Sequence, residues 1–121
     1  ELIFCCIYAS GIFSENCGLS LPHAFSLALD ECTISDKLHG EKVALGALVA
    51  SEFYEDKFNY KCFYKRILGM EFSLEEYGIT ENTIDIVVDS VLSNKLLKNF
   101  NCYPEITKDN LKEAILSVER G

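Results

Sequence analysis

Apolar residues recur along most of this chain at the three- and four-residue spacing of an amphipathic helix. Residues 2–15 are apolar on nearly every side, which predicts a central helix. Ile84, Val87 and Val91 share one face of a later helix, and polar and acidic residues occupy its other faces. The pattern and its capping residues predict six helices and one short helical turn: 2–15, a helix from a Ser20 cap to about 32, 39 to about 55, 58–68, the turn 73–77, 80–95 and 107–119.

The end residues of these segments are typical of helices. Gly69 and Gly78 follow predicted helical segments, as expected at helix C-termini. Thr80 and Thr107 are predicted N-caps, and Asn110 stands at the third position after Thr107. The irregular segment 99–105 separates the last two helices.

The fold class predicted from this pattern is all-α. The β-branched run 84–88 is compatible with a strand, but its polar neighbours at helical spacing favour a helix. No alternating strand pattern, hairpin turn, internal repeat or linker is present. We therefore expect one domain over residues 1–121, built as a helical bundle.

Small residues form a stripe on the third predicted helix. Gly40, Ala44, Ala47 and Ser51 follow one another at three- or four-residue spacing. Such a stripe predicts that a neighbouring helix approaches this face closely.

The charge of the chain narrows the classes of partner. Its formal net charge is −8 at pH 7, and its lysines are scattered among acidic residues. Nucleic-acid binding is not expected, because phosphate recognition uses clustered lysine and arginine. A membrane span is not expected either, since the most apolar run, residues 2–13, is shorter than the ~20 residues required.

Six cysteines are present, but no Cys-x-x-Cys motif and no secretory signal accompany them. The apolar composition is unlike that of a small disulfide scaffold. We therefore expect a cytoplasmic protein with reduced and mostly buried cysteines.

The two histidines of the chain carry its most distinctive chemistry. His23 lies in the first turn of one predicted helix, and His39 begins the next. The two are sixteen positions apart, which allows the chain to turn back and bring both rings to one point. Imidazole is a common ligand of divalent metals, although spacing alone leaves open that both histidines are core or surface residues.

The segment 38–46, Leu-His-Gly-Glu-Lys-Val-Ala-Leu-Gly, resembles a motif of the iron-containing alcohol dehydrogenase and dehydroquinate synthase superfamily. Pro22, His23 and Ala24 stand at the expected distance upstream, and the segment 106–111 resembles the family's last helix. The most similar branch is glycerol dehydrogenase and its relatives. The resemblance covers most of the chain, but only the segment at His39 is specific.

This resemblance implies the C-terminal, metal-binding helical domain of such an enzyme. It implies that His23 and His39 bind a divalent metal, Zn or Fe, which assists hydride transfer between a small polyol and NAD or NADP. The family's third ligand, a carboxylate, and its nucleotide-binding domain lie upstream of residue 1. We therefore expect a C-terminal fragment that is inactive alone, with residues 2–13 buried in the bundle or in a homo-oligomer.

One departure from the family pattern concerns the substrate. Polyol dehydrogenases of this family often carry a further histidine three or four positions after the first ligand, where this chain has Ser26 and Leu27. Dehydroquinate-synthase-like and glycerol-1-phosphate dehydrogenase-like chemistry remain alternatives within the superfamily. A non-catalytic helical interaction module is the alternative outside it.

Other polar residues near the histidines are weaker candidates. Glu41 is either an acceptor that orients a metal ligand or a first-turn glutamate favoured by the helix dipole. Asp30 and Glu31 point to different sides of a helix, so a paired acid–base site is not expected. Cys32 has no base nearby in sequence and is expected to be inert.

Overall fold

The computed structural model describes residues 21–53, 59–69, 71–94 and 106–119, and within these ranges the chain is helical without strands. The predicted all-α class is confirmed for this part of the chain. Its elements are α1 (Leu21–Cys32), α2 (His39–Ser51), α3 (Tyr60–Leu68), a 3-10 turn (Glu75–Tyr77), α4 (Ile84–Ser93) and α5 (Lys108–Ser117). The predicted first helix at 2–15 and the loop at 99–105 lie outside the described residues, as does any burial of residues 2–13.

The core forms around α1, which packs against α2 and α4, while α5 contacts both α2 and α4. Leu21, Phe25 and Leu29 of α1 are fully buried at four-residue spacing, so one face of this helix enters the core. Val87 and Val91 are likewise fully buried and lie on the core-facing side of α4. The longest described helix, α2, has 13 residues, and none of the described helices is long and apolar enough to cross a membrane.

A glycine brings α1 and α2 into close contact. A Cβ atom added to Gly46 would lie 2.7 Å from the carbonyl oxygen of Pro22 and 2.9 Å from its Cα atom. The predicted stripe does not make this contact, because Gly40 is exposed and a Cβ atom added there would meet nothing within 4 Å. The close approach is therefore made through Gly46, on the buried side of α2.

Several helix ends follow the sequence prediction. Thr107 accepts a hydrogen bond from the Asn110 N–H, and the Asn110 side chain accepts one from the Thr107 N–H. These two bonds form the predicted capping box at α5. Gly69 and Gly78 end their elements in the left-handed region, with φ of 64° and 79°, where glycine carries no steric penalty.

Two boundaries differ from the prediction. Helix α4 begins at Ile84 rather than near Thr80, because Thr80 to Thr83 form a turn in which the Thr83 hydroxyl accepts from the Thr80 N–H. Helix α2 ends at Ser51 rather than near residue 55. At this end the N–H groups of Glu52 and Phe53 bond to carbonyls three residues earlier, which tightens and closes the last turn.

The connection between α1 and α2 is fastened to the segment that precedes α4. The Ser35 hydroxyl donates to the carbonyl of Glu76 at 2.8 Å. Lys37 forms an ion pair with the Glu76 carboxylate at 3.4 Å, and its ammonium lies 5.4 Å from the centre of the Tyr77 ring. These contacts fix the path by which the chain returns to begin α2 at His39.

The two cysteines in the described ranges, Cys32 and Cys62, are free thiols. Both are half-buried, so they are less enclosed than the sequence predicted. The sulfur of Cys32 lies 3.9 Å from the carbonyl oxygen of Ile86, and this contact places it against α4.

Candidate metal centre

The fold brings the two histidines together at the junction of α1 and α2. His23 is the third residue of α1 and His39 the first residue of α2. Their ring centroids are 6.2 Å apart, with the ring planes inclined at 50°. Both side chains are exposed, so an ion from solvent can reach the space beside them.

This separation can be compared with that of a metal site. Two imidazoles bound to one tetrahedral zinc ion at about 2.1 Å have ring centroids roughly 5 Å apart. The observed spacing exceeds this by roughly 1 Å, a difference that rotation of the exposed His23 side chain can close. The pair is therefore compatible in spacing and chemistry with two ligand positions of one divalent ion.

A buried hydroxyl holds one of these rings. The Oγ atom of Ser26 lies 3.0 Å from Nδ1 of His39, and Ser26 is fully buried. The resemblance described from the sequence indicated this position only as one where a histidine is absent. A detectable signal was its place among Phe25, Ala28 and Leu29 on the apolar side of α1, because a buried polar group needs a partner.

The carboxylate of Glu41 forms a hydrogen bond with the backbone at the start of α2. Its Oε2 atom accepts a hydrogen bond from the Leu38 N–H at 2.9 Å. This is the arrangement of a glutamate at the third position of a helix, satisfying a backbone donor that the helix leaves free. Of the two interpretations of Glu41, the contact favours the helix-start role.

Lys42 and Asp30 form a second polar contact between α1 and α2. The Lys42 ammonium donates to Asp30 Oδ1 at 2.6 Å. The lysine side chain is 10% exposed and the aspartate side chain 45% exposed. The adjacent Glu31 instead accepts from the Ser90 hydroxyl at 3.4 Å, so the two acids face different partners, as predicted.

A third ligand does not accompany the two histidines in the part of the chain that the structure describes. Within that part, no group of three histidine, cysteine, aspartate or glutamate side chains is placed to hold a metal ion. A catalytic metal usually takes three protein ligands. The described residues therefore provide two donors of an incomplete ligand set.

A concave region lies away from the histidine pair. A cleft of about 730 Å³ opens between the 3-10 turn, the loop after it, α4 and α5. Its walls combine apolar side chains such as Ile79 and Leu116 with the acidic Glu81 and Glu119. None of its lining residues belongs to α1 or α2, so the cleft is separate from the histidine pair.

The chain was compared with protein-family models, curated proteins and solved structures. None of the three comparisons gives a match. The chemistry proposed below therefore depends on the geometry of His23 and His39 and on the sequence motif around them.

Proposed function

We propose that this chain is the metal-binding helical part of a glycerol-dehydrogenase-like enzyme of the dehydroquinate synthase fold. The observation that supports the proposal is the 6.2 Å approach of the His23 and His39 rings across α1 and α2. These are the two residues that the sequence motif assigns as ligands, and two helices carry them to one exposed point. The overall reaction is hydride transfer between a small polyol and NAD or NADP.

In this proposal the two histidines bind the metal ion, and the ion activates the substrate. His23 and His39 each supply one imidazole nitrogen to a divalent zinc or iron ion. When bound, the ion supplies Lewis acidity, which lowers the pKa of a hydroxyl group of the substrate. Neighbouring hydroxyls of a polyol suit such a site because both oxygens can approach the same charge.

The remaining parts of the site come from outside the described residues. A carboxylate is required as third ligand, and a nucleotide-binding domain is required for the nicotinamide cofactor, whose ring accepts the hydride. In the proposal both belong to a preceding domain of the same enzyme. Its contact with the face that bears His23 and His39 completes the metal site.

A zinc titration of the chain tests the proposal. The wild-type chain is expected to bind one Zn²⁺ ion by calorimetry, and His23→Ala and His39→Ala are each expected to weaken binding at least about 10-fold. Co²⁺ serves as a parallel probe, because a thiolate–cobalt charge-transfer band would reveal binding by cysteine instead. Variants Cys32→Ser and Cys62→Ser are the matched controls and are expected to retain the wild-type affinity.

A helical interaction module is the second candidate. It is favoured by two large apolar side chains just before α2, since Ile34 is 99% exposed and Leu38 is 72% exposed. Exposed apolar side chains mark a contact surface where they form one patch, and the module requires that Ile34 and Leu38 do so. Zinc affinity that is unchanged in both histidine variants would favour this module over the enzyme.

A further inference from the structure

The hydroxyl of Ser26 contacts another helix, as does that of Ser90, which donates to the Glu31 carboxylate at 3.4 Å, whereas the three remaining helical serine hydroxyls with described contacts bond within their own helix. Those of Ser51, Ser93 and Ser117 each donate to the carbonyl oxygen three residues earlier in the same helix. The hydroxyl of Ser26 instead lies 3.0 Å from Nδ1 of His39, thirteen positions along the chain and on another helix. Ser26 is thus joined to the candidate site rather than to its own helix.

The chemistry of imidazole makes this contact selective. A neutral imidazole has one donor and one acceptor nitrogen, and a hydroxyl can pair with either kind. In both tautomers the contact occupies Nδ1, so Nε2 is the nitrogen that remains for a metal. Rotation of the ring to offer Nδ1 instead would leave the buried Ser26 oxygen without this partner, which is unfavourable.

We infer that Ser26 is a positioning residue that holds Nδ1 of His39 and makes Nε2 the metal-binding nitrogen. The inference rests on the proposed function for the identity of the ligand, but the contact with the ring does not depend on a metal. Partners of this kind commonly fix the tautomer and orientation of metal-binding histidines. Here the partner is a hydroxyl, which can donate to or accept from the ring.

The test compares Ser26→Ala with Ser51→Ala, using Zn²⁺ alone as the probe. Ser51 is the matched control because its hydroxyl bonds to the Leu48 carbonyl of its own helix. Ser26→Ala is expected to weaken zinc binding about 10-fold, and Ser51→Ala to leave it unchanged. Long-range ¹H–¹⁵N spectra of the histidine rings identify the metal-bound nitrogen directly.

The spectra give outcomes that a purely structural role would not produce. In the zinc-bound wild type, His39 is expected to bind through Nε2 only. In Ser26→Ala, a mixture of Nε2-bound and Nδ1-bound His39 is expected. An unchanged affinity and unchanged Nε2 binding in Ser26→Ala would overturn the inference while leaving the proposed function intact.

Failure of the proposed function has a separate signature, which is that the wild type does not bind zinc. The metal-free spectra at alkaline pH then decide the role of Ser26. The inference is supported if the tautomer ratio of His39 differs between wild type and Ser26→Ala but not between wild type and Ser51→Ala, because only Ser26 of the two serines contacts Nδ1 of His39. Identical ratios in all three proteins would overturn it.

Discussion

Gly46 lies against the backbone of Pro22, so close that a methyl group on its Cα atom would sit 2.7 Å from the Pro22 carbonyl oxygen. Pro22 immediately precedes His23, and Gly46 lies on the helix that begins at His39. The backbone contact therefore sets the distance between α1 and α2 near the histidine pair. A larger residue at position 46 must separate the two helices.

The first prediction concerns this contact. Gly46→Ala is expected to lower the free energy of unfolding by about 1–3 kcal/mol, because the methyl group meets rigid backbone rather than a flexible side chain. Gly40→Ala is the control on the same helix, where an added Cβ meets nothing within 4 Å. That variant is expected to be unchanged or stabilised by up to about 1 kcal/mol. Equal stability of the two variants in urea unfolding would contradict the contact.

A second prediction concerns the ion pair between α1 and α2. Asp30→Ala is expected to lower the free energy of unfolding by about 1–2 kcal/mol, since it leaves the mostly buried Lys42 ammonium without its carboxylate partner. The loss is smaller than for a fully buried pair because the aspartate is partly exposed. Lys42→Met, which removes the buried charge itself, is expected to cost less than Asp30→Ala.

The control for this ion pair is Asp89, which pairs with Lys108 at 3.3 Å while both side chains are more than half exposed. Asp89→Ala is expected to change the free energy of unfolding by at most about 0.5 kcal/mol. If Asp30→Ala and Asp89→Ala had the same stability in thermal or chemical unfolding, the burial of Lys42 would not determine how much its ion pair stabilises the fold.

A third prediction concerns alkaline pH. Burial raises the pKa of Tyr77 from 10.0 to about 12, and the negative charges of Glu41 and Glu76 add to the effect. The unfolded chain releases this proton near pH 10, whereas the native chain holds it until about pH 12. The native state therefore binds more protons in this interval, and its stability must fall as pH rises through it.

The size of this effect is on the order of 2 kcal/mol between pH 10 and 12. The measurement is the free energy of unfolding against pH for wild type and Tyr77→Phe, because the difference between the two curves isolates the contribution of Tyr77. Tyrosinate absorbance should show one tyrosine of the wild type that ionises near pH 12 rather than near pH 10. Parallel stability curves for the two proteins would show that Tyr77 titrates normally.

A fourth prediction follows from the proposed function. The chain of 121 residues is expected to show no oxidation of glycerol with NAD or NADP, with or without added Zn²⁺, because the proposal assigns the required third ligand and the nucleotide-binding domain to another part of the enzyme. Cofactor absorbance at high protein concentration is the measurement. Turnover above a control without protein would show that the proposed division of the site between two domains is wrong.

Helix positions were largely predictable from the sequence, but two boundaries were not. The capping box of Thr107 and Asn110 is local, so its residues identify the start of α5 without knowledge of the fold. The start of α4 was wrongly assigned to Thr80, because Thr80 and Thr83 are both competent caps and their mutual hydrogen bond makes a turn first. The close face of α2 was also misplaced, since spacing does not show which small residue meets a neighbouring backbone.

For the candidate site, the sequence indicated the two histidines but not their support. The approach of the rings required a tertiary arrangement, and the family motif was the means of anticipating it. The contact of Ser26 with His39 depends on how α1 and α2 cross, which no local pattern encodes. The pairing of Lys42 with Asp30 was missed for the same reason, since the two residues are twelve positions apart and on different helices.

Zinc affinity in a double-mutant cycle of His23→Ala and His39→Ala tests most directly whether the two rings share one ion. If both bind the same Zn²⁺, each single variant already loses chelation, and the double variant loses much less than the sum of the two. The expected coupling between the positions is at least about 1.4 kcal/mol, or 10-fold in affinity. Additive losses, or an affinity that neither substitution changes, would contradict a metal site shared by His23 and His39.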